Sequence, residues 1–254
     1  RGRGSLQENI VINGLYGKNV EEVIKYYGGE TKNLSLSNIE VSNVETIPNK
    51  YAVSFIGSKV RDWKFENIKI KNIAGFLSVD VLEGDAPNDL RLNNIQTKNS
   101  AITGERFITA GTPTNTGFKS IDIINCDLEN SEIYLGKVNN FKMSNSKVNK
   151  IQYYILRPLN TVNSISFENN VIGESAEYGA IALTQSVNNF IFKGNTIESV
   201  KLKGIWVQNG FTFNNLIATS NSLNGWGNNA GTPRLLNSNS ITPTTSIIST
   251  NTTY

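Results

Sequence analysis

One eight-residue pattern recurs along this chain: apolar, any residue, apolar, any, Asn, two of any kind, apolar. Its second apolar residue falls at Leu36, Phe65, Leu92, Ile123, Met143, Phe167, Phe192 and Ala218, at intervals of 29, 27, 31, 20, 24, 25 and 26 residues. Two places earlier the residue is always apolar, from Leu34 and Trp63 to Phe190 and Leu216. Five places later it is apolar in every copy except the one where Thr97 stands. Two places after the anchor come Asn38, Asn67, Asn94, Asn125, Asn145 and Asn169, then Gly194 and Ser220, where Asn has moved one place on to Asn195 and Asn221. "NIVING" around Ile12 reads as a degenerate first copy.

Apolar residues spaced two apart mark a strand facing a core, and strands returning every 20 to 31 residues with no helical spacing between them mark a solenoid of β coils. A single turn cannot bury its own apolar face. The turns therefore stack about 4.8 Å apart and share one core. The expected fold is all-β, a single-stranded parallel β-helix of about eight to nine coils. Asn suits the corners, because it tolerates a left-handed backbone and its amide can bond the amides of the coils above and below. Asn169 is accordingly read as scaffold, and Asn125 and Asn145 are expected at equivalent corners with their side chains inside.

Composition removes several chemistries. With 254 residues, 38% of them hydrophobic, the chain can build a large core. It has no His, which removes the commonest general base and metal ligand, and a single cysteine, Cys126, which excludes an internal disulfide and any multi-Cys metal site. Acid–base chemistry falls to carboxylates, Tyr, Lys or Arg, and neither metal nor cofactor is expected. The net charge is +3 with Lys and Arg scattered among acids, which argues against a nucleic-acid partner. No apolar run approaches the roughly 20 residues that cross a bilayer, so membrane insertion is not expected.

Three segments are expected: an entry segment over residues 1–29, the β-helix over 30–226, and a tail over 227–254, rich in Asn, Thr, Ser and Pro. Within the first, Asn19 stands three residues before Glu22 and Gly28–Gly29 follows, which predicts a short capped helix covering the first coil. The tail reads as a terminal coil fragment or a linker.

"SISFENNVI" followed by "GAIALT", and "FIFKGNTI" followed by "GIWVQNG", resemble the right-handed parallel β-helix of the pectin-lyase-like superfamily, in particular the central domain of bacteriophage tailspikes. The resemblance covers roughly residues 30 to 224. It implies an extracellular virion-tail protein, often a homotrimer, that binds and frequently cleaves a bacterial surface polysaccharide. No catalytic signature of the superfamily matches residue by residue.

Candidate site residues are sought on the outer face of the second recurring strand. Alternation assigns Ser54, Asp80, Arg106, Glu132, Tyr134, Gln152, Tyr154, Ala182, Trp206 and Gln208 to that face. The interval of 20 residues from Ile123 to Met143 is the shortest and follows the longest, so "SEIYLGK" is expected on the floor of a groove, walled by the loop over residues 104–117. Flat aromatic and planar groups suit sugars, which makes Tyr134, Tyr154, Trp206, Arg106 and Arg157 candidate substrate contacts. Trp206 is equally intelligible at a trimer interface, the tyrosines as ordinary exposed strand residues, and Arg157 as a solvated turn residue. For cleavage the candidates are Glu132, Glu105 and Asp80, with Glu105 one coil and Asp80 two coils from Glu132. Carboxyls about 5 Å apart suit a retaining glycosidase, and roughly 6.5 to 9.5 Å an inverting one. Glu132, shielded by Tyr134 and the loop, is the expected general acid, and the better-solvated Glu105 or Asp80 the base or nucleophile. A non-catalytic glycan-binding fibre and a polysaccharide lyase stay open as alternatives. Glu83, Asp85 and Asp89 read as a loop, lacking the ligand spacing of a calcium site.

Overall fold

A computed structural model of the chain describes residues 6–19, 22–42, 51–56, 59–72, 75–80, 89–98, 107–110, 118–130, 132–136, 138–151, 154–173, 179–198, 203–207, 211, 213–224, 236–237, 245–249 and 252–253. Every regular element among these residues is a strand, and the strands stack in parallel as a β-solenoid. All eight anchors lie in one ladder, Leu36 opposite Phe65, Phe65 opposite Leu92, and so on to Phe192 opposite Ala218. The ladder extends backward to Ile12, as the degenerate first copy predicts, and forward to Ile248. Each of the eight anchor side chains is fully buried. At about 1.5–3 kcal/mol for each large apolar side chain buried, this column is a principal source of cohesion. Within it Phe167 and Phe192 lie 6.2 Å apart between ring centroids, and Phe141 of the neighbouring inward row lies 5.6 Å from Phe167. Coil lengths vary without disturbing the register, because the extra residues enter the connections.

The corner after each anchor follows from backbone stereochemistry. Asn38, Asn67, Asn94, Asn125, Asn145 and Asn169 all have positive φ, between 49° and 56°, and Gly194 and Ser220 take the same conformation in the last two copies. Asn is chosen because its short polar side chain tolerates the left-handed region at low cost. The amides do form a ladder: Asn38 donates to Asn13, Asn67 to Asn38 and Asn94 to Asn67, at 2.8, 3.1 and 2.9 Å. The expectation that the Asn125 and Asn145 side chains lie inside is corrected, since both residues are exposed. A left-handed residue turns its side chain out of the bend, and it is the next residue that points inward.

That inner slot changes chemistry along the solenoid. In the early coils it holds Ile39, Ile68 and Ile95, which pair backbone to backbone within the unbroken strands Ser35–Ser42, Trp63–Lys71 and Asp89–Lys98. From the next coil the strand splits, as in Ser120–Ile124 and Asp127–Glu129, and the slot holds Cys126, Ser146, Asn170, Asn195 and Asn221, all buried. A split strand leaves the corner N–H without a ladder partner, and side-chain oxygens supply one. The amides of Cys126, Ser146, Asn170 and Asn195 donate in turn to Ser146 Oγ, Asn170 Oδ1, Asn195 Oδ1 and Asn221 Oδ1 at 2.9–3.0 Å. Asn195 and Asn221 are therefore not displaced copies of the outer Asn but members of this inner ladder.

A second sheet of nine parallel strands flanks the anchor ladder: Ile24–Tyr27, Tyr51–Ile56, Gly75–Asp80, Ile108–Ala110, Ile133–Leu135, Leu156–Pro158, Gly179–Leu183, Lys203–Val207 and Leu236–Asn237. Its first member replaces the helix expected between Asn19 and Gly29. Glu22 does not cap; it accepts from Ser54 Oγ at 3.1 Å and pairs with Lys25 at 2.7 Å, while Ile24–Tyr27 adds edge-on to Tyr51–Ile56. Tertiary pairing of a β-branched and aromatic run overrides the local capping signal. The entry segment thus already belongs to the solenoid, with Leu6–Glu8, Val11–Asn13 and Tyr16–Lys18 pairing into the following coil. In the tail, Leu236–Asn237, Thr245–Ser249 and Thr252–Thr253 pair with the preceding coil.

Candidate functional site

The flanking sheet has an inner ladder of Val53, Leu77, Ile108, Ile133, Leu156, Ile181 and Ile205, all buried. The residue after each forms an outer row, in which Ser54, Ser78, Thr109, Tyr134 and Arg157 are paired in register. Ala182 and Trp206 pair further along. Ser54, Tyr134 and Ala182 hold these register positions but are buried, and of Trp206 only the backbone pairing with Ala182 is described. Arg157 belongs to the row as a strand residue, not a turn residue. Its guanidinium carbon lies 5.5 Å from the centroid of the Tyr134 ring, and Nη1 donates to the Tyr134 hydroxyl at 3.3 Å. In the coil next to Tyr134, Thr109 Oγ1 meets the hydroxyl of Tyr51 from two coils further on at 3.1 Å, reaching across the coil whose Gly75 stands opposite Tyr51. The row is a polar track bearing aromatic hydroxyls and one stacked cation.

No protein-family model, no curated protein and no solved structure matches this chain. Its chemistry has to be read from its own geometry.

Glu132 lies beside that track but not on its open face. It precedes Ile133 as Phe107 precedes Ile108, and Ile108 N donates to the Glu132 carbonyl at 3.2 Å. Phe76, Phe107 and Ile155 occupy the equivalent places in neighbouring coils, and all are buried. At this corner two consecutive residues face the coil body, which breaks the period-two alternation and turns Glu132 away from the outer face expected for it. Glu132 is 8% exposed, and its Oε1 accepts from the Tyr154 amide at 3.4 Å. Tyr154 itself precedes the strand Leu156–Pro158 and is half-buried. Thus Glu132 meets Tyr154, and Tyr134 meets Arg157.

Asp80 is placed elsewhere. Phe76 shares the register position of Glu132 two coils away, and Asp80 lies four residues further along its strand at the far end of the sheet. At about 3.3 Å per residue and about 4.8 Å per coil the two backbones are roughly 16 Å apart, beyond paired-carboxylate range. Only the backbone of Asp80 and of Trp206 is described, and Glu105 and Arg106 lie outside the described residues, as do Gln152, Gln208, Glu83 and Asp85. Asp89 opens the strand Asp89–Lys98.

Sequence reasoning passed over the outer face of the anchor sheet, where Lys64, Arg91, Asp122 and Lys142 stand in register. The signal was available, since these are the polar residues directly preceding successive anchors. Lys142 also pairs with Glu168 at 3.0 Å, and Ser166 Oγ donates to the same carboxylate at 2.7 Å. The Ser166 bond and then Lys142 hold Glu168 below the ordinary carboxylate range. Burial does the opposite to Asp122, pushing its carboxyl up against the pull of Arg91 and Lys142, with Asp89 adding to the rise. A carboxyl whose folded pKa exceeds its unfolded one favours the fold at low pH, and that contribution is lost as pH rises through the folded value. Asp122→Asn should therefore melt above the parent at about pH 7, with the gap closing below about pH 4. A variant no more stable than the parent at neutral pH would show that the two cations outweigh the burial.

Proposed function

We propose that this chain binds and hydrolyses a bacterial surface polysaccharide, in the manner of the tailspike domains its repeats resemble. The observation that carries the reading is the Tyr134–Arg157 stack on the outer row, next to the buried Glu132. An aromatic ring and a planar guanidinium fixed side by side suit the apolar face and the hydroxyl edge of a sugar. Glu132 is the general acid of this proposal. With Asp80 set apart by register, its partner is Glu105, which the sequence places two residues before Phe107, the coil neighbour of Glu132. Arg106 and Trp206 complete the proposed sugar contacts.

That same register favours a second reading, a non-catalytic glycan-binding fibre, because it leaves one carboxylate pair where the sequence offered two. Incubation with capsule or lipopolysaccharide glycan distinguishes the readings. New reducing ends without ultraviolet-absorbing products support hydrolysis; both together mean a lyase, and retention of intact glycan on the protein means a binder. Glycans from several strains that neither bind nor break would end the carbohydrate reading.

Assembly belongs to the same proposal. The chain or its parent should be a homotrimer associated along its strand faces, located extracellularly on a virion tail. Light scattering at micromolar concentration checks this, and a monomeric parent would remove the trimer.

A further inference from the structure

Arg157 differs from the other paired cations of the solenoid. Arg61 has Glu30 at 2.6 Å, Lys64 has Glu66 at 2.9 Å and Lys142 has Glu168 at 3.0 Å, each ion pair joining side chains of the outer surface. Among the described residues no carboxylate lies within ion-pair reach of Arg157. Its one described hydrogen bond goes to the Tyr134 hydroxyl, and its Nε is buried without a hydrogen bond, as is that of Arg61, which nevertheless has the Glu30 carboxylate beside it. A buried guanidinium donor without a partner is costly, and a fork held in one orientation by stacking loses little further freedom when it meets an anion. The following residue, Pro158, stiffens the backbone beneath it, and the Pro158 carbonyl is anchored by Thr184 Oγ1 at 2.6 Å.

We infer that Arg157 is an anion-binding subsite and that the glycan taken by this face carries acidic groups, uronate carboxylates or sugar phosphates. The inference rests on the carbohydrate reading above and narrows it. The guanidinium offers its terminal nitrogens to the anion, while the adjoining Thr109 and Tyr134 hydroxyls meet the neutral part of the sugar.

The experiment follows the Arg157 Nε–H resonance of the full chain, assigned by its loss in Arg157→Lys, at constant ionic strength. Glucuronate, glucose 6-phosphate and glucose are the probes, with inorganic phosphate as the fourth arm. Both acidic sugars should shift the resonance and glucose should not. Inorganic phosphate acting alone, with no response to either acidic sugar, would overturn the subsite as a sugar site, and no response to any anion would overturn it altogether. A second arm compares an acidic capsular polysaccharide with the same polymer after carboxyl reduction. Binding of the acidic form should exceed that of the reduced form by tenfold or more, and Arg157→Gln, checked for an unchanged melting temperature, should abolish the difference. Equal binding of both polymers overturns the inference and leaves the carbohydrate reading standing; failure of both to bind, with silent acidic sugars, overturns both.

Discussion

Glu132→Gln should lower the rate of glycan cleavage by roughly 10²-fold or more while leaving glycan affinity and melting temperature near those of the parent. Gln keeps the volume of Glu and can still accept the Tyr154 amide, so the corner packing is retained and only the exchangeable carboxyl proton is lost. Burial makes the experiment decisive. A side chain 8% exposed has its place fixed by packing, so an isosteric change there alters its chemistry and not its position. Single-turnover release of reducing ends, measured beside binding, separates chemistry from affinity. Parent-rate cleavage by the variant removes Glu132 from the reaction, and the acids of residues 174–177 and 80–89 then become the next to test. A parallel drop in melting temperature and rate would make Glu132 a structural corner residue.

The second large effect concerns stability. Asn195 Nδ2 donates to the Phe167 carbonyl at 2.8 Å and to Asn221 Oδ1 at 3.1 Å, while its Oδ1 accepts both from the Asn170 amide and from Asn170 Nδ2 at 3.0 Å. Asn195→Leu fits the volume but leaves the buried Asn170 amide and the Phe167 carbonyl without these partners. At about 1–3 kcal/mol for each such group the loss should be on the order of 3 kcal/mol. For a chain of this size that is roughly 6–12 °C in melting temperature. The exposed Asn145 supplies the contrast. Asn145→Leu should cost only about 1–2 kcal/mol, from the positive φ, and Asn145→Gly should cost almost nothing, since Gly194 already occupies that slot in a later coil. Equal losses for Asn195→Leu and Asn145→Leu, with no rescue by Gly, would show that the inner ladder carries no special share of the stability.

The anchor ladder was legible because each copy presents the same chemical type, apolar at fixed spacing, whatever the coil length. The outer Asn corner was legible for a similar reason, since few residues accept its backbone conformation. The inner slot was not, because Ile95, Cys126, Ser146 and Asn170 have no common property as letters; they share only a place in the bend. The outer row of the flanking sheet was half legible. Tyr134 and Arg157 fall in one register row, but Phe76–Leu77, Phe107–Ile108 and Ile155–Leu156 are buried as consecutive pairs, and so is Glu132–Ile133. A rule of period two cannot anticipate a corner that places two neighbours inside. Asp80 shows the related failure, where a strand of six residues, Gly75–Asp80, pairs with one of three, Ile108–Ala110, so that equal distance from a motif no longer means equal height on the sheet.

The inner corner ladder also bears on how such a molecule can lengthen. Between Asn170 and Asn195, and again between Asn195 and Asn221, a coil opens and closes on the same donors and acceptors, so a tandem duplicate of residues 171–195 would bond to both neighbours as the original does. At the passage from Ile95 to Cys126 the two sides offer different chemistry, since Cys126 Sγ reaches the Leu92 carbonyl only at 3.9 Å where the later coils have an Asn amide at 2.8–2.9 Å. Gene duplications that extend the array should accordingly fall within one half or the other and avoid the junction between them.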